Sequence, residues 1–164
     1  MPSVNRTLSV CLGLTFCVFA AQAAGTVTVS FVEPEKFADA RDARLDSSDN
    51  LRVLAGHIES AASRYMADGQ KLSVEVLDVD LAGEVRPSRR FHQDVRVLKG
   101  GADWPRVTLR YTLESPGQPV RRVEQTISDM AYLQRSNGLA YRDALSHEKR
   151  MLDEWFKGQF AAVN

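Results

Sequence analysis

The stretch that decides the fold is RVTLRYTLESPGQPVRRVEQTIS, residues 106–128. In residues 106–114 apolar and polar side chains alternate, and the apolar ones are Val107, Leu109, Tyr111 and Leu113. This period of two is typical of a β-strand with one buried face. Residues 115–119 are SPGQP, which favours a turn. The sequence therefore predicts that residues 120–128 fold back as an antiparallel partner strand.

The segments before this hairpin are predicted as strand, helix and strand. Residues 26–32 alternate with period two, and apolar residues recur every three or four positions between Ser48 and Gly69. The first pattern predicts a strand, and the second predicts a helix that ends at the glycine. Residues 71–81 alternate again, but the apolar phase shifts by one position at Leu77. That shift indicates either a β-bulge or a strand buried on both faces.

The remaining segments complete an α+β pattern. Residues 84–93 are polar, basic and interrupted by Pro87, which predicts a loop, and residues 94–98 predict a short strand. A last helix is expected from about residue 139 to 157, with Gly158 ending it. The order βαββββα predicts an α+β fold, with a mixed, mostly antiparallel sheet of about five strands and both helices packed on one face. The first two strands should be parallel, through a right-handed crossover.

The first 23 residues have the order of a secretory signal peptide. Arg6 gives a weakly basic start, residues 8–20 form an uncharged apolar run, and Ala21 and Ala23 are the small residues that a signal peptidase recognises. The apolar run is too short to span a bilayer. We therefore expect cleavage near Ala23, a signal peptide at 1–23 and a single α+β domain at 24–164. The mature chain should be periplasmic and have no transmembrane segment.

Composition narrows the class of partner. The chain has 21 Lys and Arg against 21 Asp and Glu, and Arg6 lies in the signal peptide, so the mature chain is close to neutral. A neutral chain gives no electrostatic reason to expect nucleic acid. Both cysteines, Cys11 and Cys17, lie in the signal peptide, so we expect a cysteine-free mature domain without disulfides or thiolate metal sites.

One carboxylate stands out in the last predicted helix. Glu148 falls in the middle of its apolar stripe, where an unpaired charge would be strongly unfavourable. We expect Glu148 to be a structural buried charge paired with Arg96, Arg110 or Arg122. The alternative is an acid in a cleft whose pKa is raised by burial.

The candidate binding residues are Arg89, Arg90, Phe91 and His92. They form a basic patch with an aromatic residue, which could bind a phosphate, a lipid headgroup or an acidic partner. The alternative is that these arginines serve only solubility.

Enzymatic and metal-binding alternatives rest on other carboxylates. A small hydrolase could use Glu148, or Asp78 and Asp80, as acid and base together with His92. A calcium site could be built from Glu33, Glu35 and Asp39, although their spacing matches no known calcium loop. No assembled catalytic, metal or cofactor motif is recognisable, so we predict no catalytic residues, no metal and no cofactor.

Several segments together resemble a known family. They are VSFVEPEKF at 29–37, Asp39, Trp104-Pro105, DMAY at 129–132 and EKRMLDEWF at 148–156. The chain resembles the small exported Gram-negative bacterial proteins catalogued as domain of unknown function 3016. The resemblance implies an envelope location and one domain, and it implies no activity or site. Because the residues show no assembled catalytic constellation and predict a compact helix-on-sheet domain, we expect a non-enzymatic binding or scaffolding module. Its partner should be an envelope protein or another envelope component.

Overall fold

The structure is a computed structural model that describes residues 24–41, 47–90, 92–134 and 145–161. Its elements in chain order are β1 (Thr26–Phe31), a single 3-10 turn (Pro34–Lys36), α1 (Ser47–Ser63), β2 (Lys71–Asp80), β3 (Glu84–Ser88), β4 (Gln93–Val97), β5 (Arg106–Glu114), β6 (Arg121–Ser128) and α2 (Ser146–Phe160). The predicted hairpin is present as β5 and β6, and the α+β class is confirmed.

The main sheet is mixed and mostly antiparallel, as predicted. Its strand order is β1-β2-β5-β6. β1 runs parallel to β2, from Thr26 beside Lys71 to Phe31 beside Val76, and the other two pairings are antiparallel. The parallel pair flanks α1 in sequence, so the predicted strand–helix–strand crossover is confirmed. β3 and β4 form a separate two-stranded sheet.

Both helices pack on one face of the main sheet. Alternate residues of β2 and β5 meet the buried faces of α1 and α2 in one apolar core, whose most buried side chains include Leu54, Ile58, Val74, Val76, Leu109, Tyr111, Leu152 and Phe156. The opposite face of the sheet is polar. There Arg110 lies between Glu75 and Glu124, at 3.1 and 2.8 Å. The period of two in the sequence therefore corresponds to one buried and one wet face.

The phase shift in β2 is a β-bulge. The register with β5 slips between Val76 and Asp78, and Val79 and Leu81 are buried beyond it. A bulge re-aims the strand so that apolar residues on either side of it face the same core. Of the two alternatives that the sequence left open, the structure shows the first.

The predicted loop at residues 84–93 is wrong in its first half. Glu84–Ser88 forms β3, which pairs with β4, and Pro87 lies opposite Asp94. In a two-stranded ribbon each strand has one edge with no neighbouring strand, so proline can sit in it without removing a bond inside a larger sheet. The described residues therefore form six strands in two sheets.

Both predicted glycine stops are also wrong. α1 ends at Ser63, and Gly69, with a φ of 78°, lies in the turn before β2. α2 runs through Gly158 to Phe160, because Phe160 is 3% exposed and continues the apolar face. Leu145 is left-handed and precedes the helix, and residues 139–144 of the predicted helix lie outside the described residues.

Two predictions concern the chain as a whole. Within the described ranges, no helix is long and apolar enough to cross a membrane. The chain is not cysteine-free, since it contains Cys11 and Cys17. Only the sequence from residue 24 onward lacks cysteine, so the predicted cysteine-free domain depends on removal of residues 1–23, which stays a prediction.

Replacing Gly158 by alanine should stabilise the protein by about 0.5–1 kcal/mol. Gly158 lies inside α2, and a Cβ there would meet nothing within 4 Å, so alanine removes the entropic penalty of glycine without a clash. Gly117→Ala is the control, because Gly117 has equally open space but a φ of 72°. Urea unfolding should show that Gly117→Ala loses stability. A loss in Gly158→Ala would contradict a helix through residue 158.

Candidate functional site

The site begins at the tight turn of residues 81–83, which joins β2 to β3. Leu81 and Ala82 are each 2% exposed, and Gly83 has a φ of 80°. A Cβ on Gly83 would lie 2.5 Å from the carbonyl oxygen of Val97. Both the left-handed backbone and this close approach require glycine. The turn is therefore buried backbone whose polar groups need partners inside the protein.

Glu148 supplies one of these partners. It lies in the first turn of α2, is 3% exposed, and its Oε1 accepts a 2.8 Å hydrogen bond from the main-chain N–H of Ala82. A carboxylate in the first turn of a helix is also favoured by the helix dipole. Glu148 thus ties α2 to the turn before the β3–β4 hairpin.

Arg96 of β4 supplies the donors for the carbonyl groups of the same turn. Its Nη1 donates to the carbonyl oxygens of Ala82 and Gly83, at 3.1 and 3.0 Å. Its Nη2 donates at 3.0 Å to Oδ2 of Asp39, and the Arg96 side chain is only 13% exposed. One guanidinium therefore holds the turn and the segment after β1 together.

Two of the three arginines predicted as possible partners of Glu148, Arg110 and Arg122, lie elsewhere, whereas Arg96 binds the same turn as Glu148. Arg110 and Arg122 belong to the polar face of the main sheet, opposite the helices. Arg110 pairs with Glu75 and Glu124 there, and Arg122 donates to the hydroxyl of Thr112. Neither can reach a carboxylate on the helical side. The sequence located a buried acid but missed that a main-chain N–H is one of its partners.

The predicted binding residues lie at the tip of the β3–β4 hairpin. Ser88 pairs with Gln93, so residues 89–92 form the connecting loop. Arg89, Arg90 and His92 are exposed, and His92 is left-handed with a φ of 52°. Phe91 lies outside the described residues. Arg89 makes no ion pair with any other residue of the described ranges. That these residues bind a ligand stays a prediction.

The acidic residue nearest the base of this hairpin, Glu84, is already ion-paired. Glu84 accepts from Arg86 at 2.7 Å and from Lys99 at 3.0 Å. These hydrogen bonds, that of Arg86 first, lower the pKa of the Glu84 carboxyl below its usual 4.5. The charge of Glu84 is therefore compensated locally by Arg86 and Lys99, and the side chain of Arg89 is exposed at the tip.

The carboxylates of the hydrolase alternative have structural partners. Asp78 accepts from the main-chain N–H of Ala38 at 2.8 Å, and Asp80 pairs with Arg106. His92 contacts none of the candidate acids within the described residues. The structure does not bring these groups together as a catalytic pair, and it favours no hydrolase.

Two of the three carboxylates proposed for a calcium site also have partners within the protein. Glu33 pairs with Lys36 at 2.6 Å, and Asp39 is held by Arg96. Among the residues that the structure describes, no three His, Cys, Asp or Glu side chains are grouped as metal ligands.

A second buried polar cluster, which the sequence did not indicate, lies beside the N-terminus of α2. Arg150 donates to Oδ2 of Asp129 at 3.2 Å and to the carbonyl oxygen of Tyr132 at 2.7 Å. The Tyr132 hydroxyl accepts from the N–H of Gly100 at 3.2 Å, and its ring meets His147 edge-on, with centroids 5.0 Å apart. The cluster fixes the chain after β6 against α2.

An open groove of about 340 Å³ lies next to this cluster. Residues 127–131 form one wall, and Met151, Glu154 and Trp155 of α2 form the other. Met130 is 68% exposed at its rim. The groove therefore follows the C-terminal end of the edge strand β6.

These features define a small α+β protein in which buried polar contacts anchor a hairpin with a basic tip. The family model described as a protein of unknown function, DUF3016, matches residues 25–158, and the chain belongs to that family. The resemblance inferred from the sequence is thereby confirmed. No curated protein and no solved structure matches the chain.

Replacing Glu148 by alanine should destabilise the protein by about 1–3 kcal/mol, because the N–H of Ala82 would be left buried without this acceptor. Gly83→Ala should have an effect of at least similar size, because it combines a positive φ with a clash against Val97. Urea unfolding monitored by circular dichroism measures both. Glu59→Ala on the exposed side of α1 is the control, and an equal loss there would contradict a specific role for Glu148.

Stability should fall as the pH is lowered through the usual pKa of histidine. Burial first, and then Arg150, lower the pKa of His147 below 6.5 in the folded protein. The unfolded chain therefore binds this proton more readily, so the contribution of His147 is complete above the unfolded pKa and is lost below it. Urea unfolding at pH 7.5 and 5.5 should show this loss, and His147→Phe should reduce it. An unchanged pH dependence in the variant would contradict this role.

Proposed function

We propose that this protein is exported to the periplasm and acts there as a non-enzymatic binding or scaffolding module of the cell envelope. The β3–β4 hairpin tip, residues 89–92, is its proposed contact with a phosphate-bearing or acidic envelope component. The observation that carries the proposal is the combination of an exposed basic tip and a buried, fully anchored base.

Anchoring matters because a mobile loop loses entropy when it binds. Arg96 and Glu148 hold the turn at the hairpin base through main-chain groups, and β3 and β4 pair over five positions. A pre-organised stem lowers the ordering cost of binding, so more of the interaction energy of the tip remains as affinity. Guanidinium groups suit this role because they bind phosphate or carboxylate oxygens with paired, charge-assisted hydrogen bonds.

The location rests on the order of residues 1–23. A weakly basic start, an uncharged apolar run and the small residues at 21 and 23 support secretion. A periplasmic module would meet phosphate-bearing headgroups and acidic polymers on either side of it. The exposed arginines therefore suit the anionic groups of the periplasm, the compartment that the predicted signal peptide indicates.

The binding proposal can be tested by charge reversal at the tip. Arg89→Glu with Arg90→Glu should weaken sedimentation with vesicles containing phosphatidylglycerol, or with lipopolysaccharide, by about tenfold or more, since each arginine near an anionic surface contributes about 1 kcal/mol. Arg52→Glu on α1 is the charge control, and neutral phosphatidylcholine vesicles are the lipid control. If the double variant binds the anionic targets like the unaltered protein, the tip is not the contact.

The location can be tested independently of binding. Cells expressing the full sequence with a C-terminal tag should release a shortened protein on osmotic shock, and its N-terminus should lie near Ala24. Ala23→Leu should block processing, because a large side chain does not fit the recognition position. Recovery of an uncleaved protein with the cytoplasm would contradict export.

A further inference from the structure

Two of the three large apolar side chains that are exposed among the described residues flank one strand. Val120, which precedes β6, is 58% exposed, and Met130, which follows it, is 68% exposed. The third, Val32, is 39% exposed and lies after β1. Exposed apolar groups at both ends of one edge strand mark a candidate contact surface.

The strand between them is the last of the main sheet. β6 pairs with β5 on one side, and no strand of the described chain pairs with its outer edge. Such an edge presents unpaired N–H and carbonyl groups that a further strand can use. β6 is eight residues long, so it offers a full-length template.

We propose that the occupant of this edge is a second copy of the chain, paired antiparallel through β6 with Gln125 of both copies on the two-fold axis. This register places Val123 opposite Ile127 of the second copy, on the helical side of the sheet. Continued past the strand ends, it also brings Val120 of each copy near Met130 of the other. The two most exposed apolar side chains therefore cover each other twice, as the symmetry of an isologous dimer requires.

The charges of β6 discriminate between the possible registers. Side chains must stay on their own face of the sheet, so the register changes only in steps that keep this alternation. A shift that puts Val123 opposite Gln125 also places Glu124 against Glu124 of the second copy, which is repulsive. In the proposed register Arg122 faces Ser128 and Glu124 faces Thr126, so no like charges stand directly opposite.

Other registers also avoid repulsion but leave apolar groups uncovered. With Thr126 on the two-fold axis, for example, Met130 would face Arg122 and Val120 would lie beyond the overlap. With Val123 on the two-fold axis, Arg122 would face Glu124 of the second copy and form two ion pairs. Exposed ion pairs add little, and Met130 would lie beyond the overlap. Burial of the two apolar pairs and overlap of seven of the eight strand residues favour the register centred on Gln125. The product is one continuous sheet of eight strands with β1 at each end.

Association can be measured by sedimentation equilibrium of the full chain. We expect a monomer–dimer equilibrium whose midpoint rises about tenfold or more in Val120→Asp or Met130→Asp, because a charge would enter the apolar contact. Both sites are exposed, so both variants should keep the unfolding transition of the unaltered protein. Val32→Asp is the matched control and should leave the midpoint unchanged. A protein that stays monomeric at all concentrations, or a midpoint that only Val32→Asp moves, would overturn the proposal.

The register can be tested with single cysteines in a Cys11→Ser, Cys17→Ser background, where the engineered thiol is the only one. Directly opposite residues of an antiparallel pair have Cβ atoms about 4.5–5.5 Å apart, close enough for cross-linking. Gln125→Cys should form a covalent dimer under mild oxidation much faster than Val123→Cys. Preferential cross-linking of Val123→Cys, or equal slow cross-linking of both, would overturn the proposed pairing.

Discussion

The main-chain N–H of Ala82 must find its acceptor inside the protein, and the carboxylate of Glu148 provides it. A buried N–H and a buried carboxylate are each unfavourable alone, but together they form a charge-assisted hydrogen bond. The turn also needs donors for its carbonyl groups, and Arg96 provides them. The turn follows β2, and its partners come from β4 and α2. The hydrogen bonds of this one buried turn therefore fix three elements relative to each other.

The placement of the β3–β4 hairpin follows from that constraint. The backbone turns sharply at Gly83, so β3 leaves the main sheet and pairs only with β4. Anchoring at the base lets a two-stranded ribbon, which is marginal by itself, project with defined geometry. The polar residues of its tip can then stay exposed while Arg96 at its base is largely buried. The same contacts that stabilise the fold therefore also present the proposed binding surface.

Local periodicity predicted the elements that depend on local burial, and it failed where distant contacts decide. β5 was predicted with its observed bounds because its buried residues alternate strictly with partly or fully exposed ones. Pro87 wrongly indicated a loop, because the sequence does not show that β3 belongs to a two-stranded ribbon. Gly158 wrongly indicated a helix end, because burial of Phe160 outweighs the low helix propensity of glycine. The acid Glu148 was found from its position on an apolar face, but one of its partners is a main-chain N–H, which carries no sequence signal.

The two proposed surfaces differ in their physical basis, and this difference explains why both can exist on one small protein. The hairpin tip is charged and exposed, so its side chains stay hydrated until they bind an anionic target. The β6 edge instead combines hydrogen-bonding backbone with apolar ends. In the register that overlaps seven of its eight residues and is centred on Gln125, no like charges stand directly opposite. A dimer formed through β6 would carry two hairpin tips. If the tips reach one anionic surface together, weak individual contacts would combine into a higher avidity without any new contact in the domain itself.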